Sequence, residues 1–434
     1  MAFAIYLYRP ISVLFTNGIL LFWLIYILQK KNKNNEALMA AAYLAGAEVY
    51  FRMTNGLVFY ETGKYMIIVY LLVGMFFKGT SSRTIPYWLY LLLLFPGILI
   101  ASFNLGYQAE FRKLIAFNLS GPVCLGVVSL YCYYKKIQKR DYQKVILMLL
   151  MPLISNMFYL YLYTPSLKDS LINVGANYAA TGGYGPNQVS TVFGLGFFLL
   201  VTRLFTVRDK LLNLIDTILL GLMAYRAIIT FSRGGVITGV VCILCFVILF
   251  YYKQDGVNRG KMLQKMGLLL GAGVLVWFFT LVQTGGLIEN RYTNRDRAGR
   301  LKSDITTGRA ELIETELHAF YTHPLLGIGV GKGKEYRKEE LGISIATHNE
   351  ISRMLSEHGM LGVINLLILI SVPLIFWFKF ENNYFFLAFL AFWFITINHS
   401  AMRIALPEFI YGLSLIYIVD DKKNTLYRKR LAVN

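Results

Sequence analysis

The chain alternates long apolar runs with short polar connections, breaks into one extended polar stretch from Gly285 to Gly359, and then returns to apolar runs. Apolar candidates are Ile11–Leu28, Ala37–Phe51, Tyr65–Phe77, Tyr87–Ala101, Leu114–Tyr134 and Val145–Tyr163. Next come Val189–Phe205, Leu211–Phe231, Val236–Tyr252 and Leu263–Val282, and after the polar stretch Leu361–Phe378, Tyr384–Ile397 and Ala405–Val419. Many approach the roughly 20 residues a helix needs to cross a bilayer core, and none alternates with the period of two of a membrane barrel strand. The pattern predicts an all-α, polytopic transmembrane helical bundle of about 12–13 spans with one large helical external segment. It divides the chain into a bundle over 1–284, an external segment over 285–359, and C-terminal transmembrane helices with a basic cytoplasmic tail over 360–434.

Composition agrees, and charge gives the bundle a direction. Hydrophobic residues make up 56% of the chain and charged residues 15%, outside the range of an ordinary soluble domain. A net charge of +19 would suit nucleic acid if the cations formed one patch. They fall instead in short connections, as the positive-inside rule expects, so nucleic acid is not an expected partner. Counting the runs alternately puts Lys30–Lys33, Lys135–Arg140, Arg208–Lys210, Lys253–Lys265 and the tail Lys422–Arg430 on one side, the cytoplasm. The 285–359 segment then lies outside, with the connections near Tyr60, Gln108 and Tyr178. The first apolar run lacks a small-residue cleavage site and reads as a retained span. Cys242 and Cys245 have the spacing of a metal pair but no second pair nearby, and Cys124 and Cys132 also lie in apolar runs; no metal or other cofactor is expected.

Cations on the outer side are the anomaly. Arg52, Glu61 and Lys64 flank one outer turn, and Glu110, Arg112 and Lys113 another. Arg291, Arg295, Arg297, Arg300 and Lys302 gather against Asp296 alone, a composition suited to a phosphate or a lipid head group. Phe231-Ser232-Arg233-Gly234-Gly235 separates two apolar runs at their outer ends, where the glycines let a ligand approach the backbone. Arg226 lies seven residues earlier, a spacing that would put it on one helical face with Arg233. An arginine within a span faces the bundle interior or a wet cavity, so the pair is a candidate anion site. Gly182 to Ser190 reads as a turn into a span, with Asn187 able to cap the helix that follows.

Within the polar stretch, Leu312, Ile313, Leu317 and Phe320 recur at helical spacing between Thr307 and Tyr321. Arg309 falls in the first turn of that helix, where the helix dipole disfavours a cation, so it is expected to serve a partner. His323-Pro324 ends the helix, and Gly327, Gly329, Gly331 and Gly333 are expected to make a flexible loop. Thr347-His348-Asn349 leads into a second helix that Gly359 closes. The dipole keeps a histidine at a helix N-terminus neutral, fit to take the proton of an attacking hydroxyl. His348 is therefore the candidate base.

Ser232-Arg233-Gly234, Gly308-Arg309, His323-Pro324-Leu325-Leu326-Gly327-Ile328-Gly329, His348-Asn349 and Glu357-His358-Gly359 occur in this order around an external loop. Together they resemble the O-antigen ligase and O-antigen polymerase superfamily of bacterial membrane glycosyltransferases, over roughly Gly182 to Gly362. The resemblance implies an inverting, metal-independent transfer of a glycan from undecaprenyl diphosphate to an acceptor hydroxyl, at the outer, periplasmic face of the bacterial inner membrane. The acceptor would be a lipid A core sugar or a second lipid-linked glycan. Arg233 and Arg309 would hold the diphosphate, and His348 would act as base or orient the hydroxyl. Arg226, Arg291, Arg295, Asn349 and Asn187 are the further candidates for substrate binding. The aromatic residue that often follows the Gly-Arg pair is replaced here by Leu312 and Ile313. Many spans and interior arginines would equally suit a transporter or flippase of lipid-linked sugars, although no internal repeat is evident.

Overall fold

A computed structural model describes residues 1–106, 110–164, 175–253, 256–302, 308–342, 345 and 347–419. The basic tail, the Gln108 connection and Thr307 lie outside the described residues. The chain runs through α1 (Ala2–Leu7), α2 (Ile11–Lys30), α3 (Glu36–Met53), α4 (Thr62–Lys78), α5 (Ile85–Asn104) and α6 (Phe111–Cys132). A short strand β1 (Lys136–Gln138) precedes α7 (Lys139–Tyr163), α8 (Pro186–Thr206), α9 (Lys210–Ile228), α10 (Arg233–Tyr252) and α11 (Gly256–Gln283). The external segment holds α12 (Leu287–Tyr292), α13 (Arg309–Thr322), α14 (Gly333–Leu341) and α15 (Glu350–His358). It is followed by α16 (Met360–Lys379), α17 (Phe386–His399), α18 (Leu406–Ser414) and β2 (Tyr417–Val419).

Each apolar run of the sequence contains a helix, the last one ending in β2, so the chain is a polytopic helical membrane protein. Nine of the described helices are long and apolar enough to cross a membrane, fewer than the run count suggested. The others have a physical reason to differ. α3 carries Glu36, Glu48 and Arg52 and buries nearly every residue, so its charges are met by protein and not by lipid. α4, α17 and α18 are shorter, at 17, 14 and 9 residues, and every residue of α18 is buried. α3, α17 and α18 pack with the long helix α8 in the interior of the bundle, whereas α4 and long helices such as α2, α5 and α11 turn apolar side chains outward.

Contacts between connections fix two ends. At one end β1 pairs in parallel with β2, Lys78 Nζ donates to the Lys33 carbonyl, and Lys253 Nζ donates to that of Glu381. This end gathers the basic connections, as alternate counting requires. At the opposite end Arg52 donates to the Arg403 carbonyl, Ala401 N–H to His348, and Asn177 N–H to Thr230. The external segment sits on that second end.

The segment is bound tightly to the bundle, because the glycine loop is a seat and not a flexible link. Gly327, Gly329 and Gly331 have φ of +71°, +93° and +81°, which glycine adopts without strain. A Cβ on Gly329 would lie 2.6 Å from the backbone nitrogen of Ala101 in α5. Backbone bonds tie the loop on both sides: Ile328 N–H to the Ser356 carbonyl of α15 (2.8 Å), and Val330 N–H to the Gly97 carbonyl of α5 (3.0 Å).

Candidate active site

The site begins at the break between α9 and α10. Phe231 takes φ of +57°, unusual for a bulky residue, and turns the chain so that α10 starts at Arg233. Three side chains hold this turn. Ser190 Oγ donates to the Ser232 carbonyl (2.8 Å), Ser232 Oγ to Asn187 Oδ1 (2.8 Å), and Arg291 Nε to the Phe231 carbonyl (2.8 Å). Small residues bring α8 and α10 close enough for this, because Gly194 and Gly235 each face the other helix's backbone directly.

The turn forms one wall of a cavity of about 570 Å³ lined by Asn187, Ser232, Arg233, Gly234, Arg291 and His399. α13 supplies the opposite wall with Arg309, Ala310, Ile313, Glu314 and Leu317. Gly308, with φ of +77°, starts α13 so that Arg309 is its first residue. Among the described residues no carboxylate pairs with Arg233, Arg291 or Arg309, whereas other arginines of this end are paired. Burial, and then the positive charge of Arg233 and Arg309, lowers the pKa of Arg291; burial and Arg233 do the same at Arg309. Three cations that repel one another in a partly dry cavity favour an anion among them.

The sequence candidates divide. Arg233, Arg309, Arg291 and Asn187 line the cavity together, although they come from four different elements. Asn187 does so from within the first turn of α8; the cap position belongs to Gly185, because Pro186 is already helical. Arg226 is elsewhere. The helix breaks between it and Arg233, so the shared face expected from their spacing does not exist. Its Nη2 donates to the Leu160 (2.9 Å) and Thr164 (3.3 Å) carbonyls at the end of α7, and its guanidinium lies over the Tyr161 ring. Arg295 is exposed in an antiparallel bridge with Leu301, and its neighbour Arg300 pairs with Asp296.

His348 adjoins the cavity without lining it. Burial, followed by the charges of Arg403, Arg309, His399 and Arg337, pushes its pKa down to about 4, so it is neutral at physiological pH. Asn349 caps α15, accepting from Ile351 N–H (2.9 Å) and Ser352 N–H (3.1 Å), and donates to Asn398 (3.1 Å). Its amide is thus used in holding His348 against the start of α15 and the end of α17. Behind it, Arg353 bridges Glu350 and Glu357, and Arg337 pairs with Glu316, all buried.

Sequence reasoning passed over His399. It closes α17 and enters the cavity wall beside Gly234. Its only sequence signal was the polar trio Asn398-His399-Ser400 at the outer end of an apolar run.

Residues 218–367 match the O-antigen ligase family model. The match contains Arg233, Arg291, Arg309 and His348 but neither Asn187 nor His399. A comparison with curated proteins finds no match to the chain. The chain is a multi-pass helical membrane protein that is similar to the O-antigen ligase family over residues 218–367, the stretch that supplies three of the arginines and the histidine gathered at one end of the bundle.

Proposed function

We propose that the protein is a membrane glycosyltransferase of the O-antigen ligase or polymerase type. It moves a glycan from undecaprenyl diphosphate to an acceptor hydroxyl, a lipid A core sugar or another lipid-linked glycan. The observation that carries this reading is the cavity in which Arg233, Arg291 and Arg309 stand without carboxylate partners among the described residues. A diphosphate leaving group gathers negative charge as its bond to the sugar breaks, and fixed guanidiniums stabilise it as a metal does in other transferases. The acceptor oxygen attacks the anomeric carbon from the face opposite the diphosphate, which inverts the configuration. Neutral His348, close enough to feel Arg309 and His399, orients that hydroxyl. Positive-inside counting supports a cavity on the non-cytoplasmic side, which for this reading is the periplasmic face of the inner membrane, where the donor's lipid stays in the bilayer.

The test uses purified protein with an undecaprenyl-diphosphate-linked glycan and candidate acceptors, scoring transfer and transbilayer movement separately. Transfer by the wild type and its loss in Arg233→Ala, Arg309→Ala and His348→Ala is expected, with insertion unchanged. Movement of the donor without transfer would make the protein a transporter instead. In a deletion strain, loss of polymer length indicates a polymerase, and loss of glycan attachment a ligase.

A further inference from the structure

The cavity holds an imidazole that lies beyond the residues matching the family, and its hydrogen bonds fix its chemistry. His399 is 9% exposed and ends α17. Its Nδ1 lies 2.9 Å from the Ile395 carbonyl, an oxygen that can only accept. The ring proton therefore sits on Nδ1, and Nε2 keeps its lone pair. Nε2 is 3.2 Å from Thr191 Oγ1, but that hydroxyl has a shorter bond, 2.8 Å, to the Asn187 carbonyl. With the Thr191 proton on Asn187, Nε2 is open to a hydroxyl from the cavity.

We infer that Nε2 of His399 accepts the proton of the attacking hydroxyl, while His348 orients that hydroxyl from the cavity's edge. The inference rests on the transferase reading above. As the acceptor oxygen bonds to the anomeric carbon, the bond from that carbon to the diphosphate oxygen breaks and its electron pair leaves with the diphosphate. The hydroxyl proton passes to Nε2 and afterwards to water or to the released diphosphate. Two features suit His399 to this step. It stands at the C-terminal end of a helix, where the dipole offsets part of what burial and the Arg309 charge cost the imidazolium that forms, whereas His348 precedes a helix N-terminus, where the dipole adds to that cost. The Ser-Arg-Gly turn also makes room for it: a Cβ on Gly234 would lie 2.5 Å from His399 Cδ2 and 2.8 Å from Nε2.

The experiment compares His399→Ala and His399→Gln with the wild type, as full-length protein in nanodiscs, using an undecaprenyl-diphosphate-linked glycan as donor. Transfer is expected to fall by about 10²- to 10⁴-fold in both, the usual contribution of a positioned base. Donor binding should persist, and added imidazole should restore part of the rate to His399→Ala alone, because glutamine fills the space without supplying a base. A rate within about tenfold of wild type in His399→Ala, below the range expected for a base, would overturn the inference. So would a loss that imidazole leaves untouched while donor binding weakens, which would make His399 a structural support. A wild type that transfers no glycan would fail the transferase reading itself, a different outcome from either.

Discussion

Two groups of arginines share one end of the bundle and differ in what answers their charge. Arg353 lies between Glu350 and Glu357, Arg337 on Glu316, and Arg52 on Glu48, every partner nearly free of solvent. Across His348, the cavity arginines Arg233, Arg291 and Arg309 have no such partners among the described residues. Burying a charge unpaired costs several kcal/mol, so the first group is tolerable only as pairs. The second is tolerable because its cavity is open, and it becomes favourable when an anion arrives. The carboxylate-paired arginines hold the fold, and the cavity arginines are the ones proposed to bind substrate.

The most severe test of that division removes one member of each group. Arg233→Ala or Arg309→Ala should cut transfer by about 10²–10³ or more, the loss seen when one preorganised donor to a developing anion is deleted, and leave thermal stability near wild type. Arg353→Ala strands two buried carboxylates and should cost about 3–5 kcal/mol, which chromatography in detergent would register as loss of folded protein. A folded, active Arg353→Ala would erase the distinction.

Smaller effects sharpen it. Arg226 is buried, but it serves the end of α7, so Arg226→Ala should lower the melting temperature while donor affinity holds. At Gly329, alanine must adopt φ of +93° against the α5 backbone, and a loss of roughly 1–3 kcal/mol in stability is expected from the strained backbone alone. Between pH 6.5 and about 4 the unfolded chain protonates His348 and the folded chain does not. Stability should therefore fall as pH drops through that window, and His348→Gln should remove its share of the melting curve's pH dependence there. Arg295→Ala should change stability by less than about 0.5 kcal/mol and leave transfer close to wild type, as befits an exposed loop residue.

Much of the bundle could be read from hydropathy, because lipid forces backbone bonds to close within helices and each apolar run announces one. The number of crossings was less legible. Runs such as α3 and α18 pass from one end of the bundle to the other like the rest, yet they bury their surfaces in protein and not in lipid, which only packing shows. Arg233 and Arg309 stood out because they break a rule, a cation beside an apolar run and a cation in a helix's first turn. Arg226 broke the same rule for a structural reason, the unsatisfied carbonyls at the end of α7, which no local pattern could show. His399 was missed for the opposite reason. The signals that single it out lie in a neighbour seven helices away in sequence order, Gly234 of α10, and in a carbonyl of its own helix that fixes the ring proton.

The seat of the glycine loop on α5 bears on how the chain is made. α5 emerges early in synthesis, but Ile328 and Val330, which bond to α15 and α5, follow only after α6 to α13 have been threaded. At the other end β1 waits still longer for β2. The growing chain must therefore carry two uncovered docking faces, one on each side of the bilayer, until its C-terminal third is translated. A chain cut short before Val330 never covers either, and it should be cleared by membrane proteases long before any partial activity could be seen.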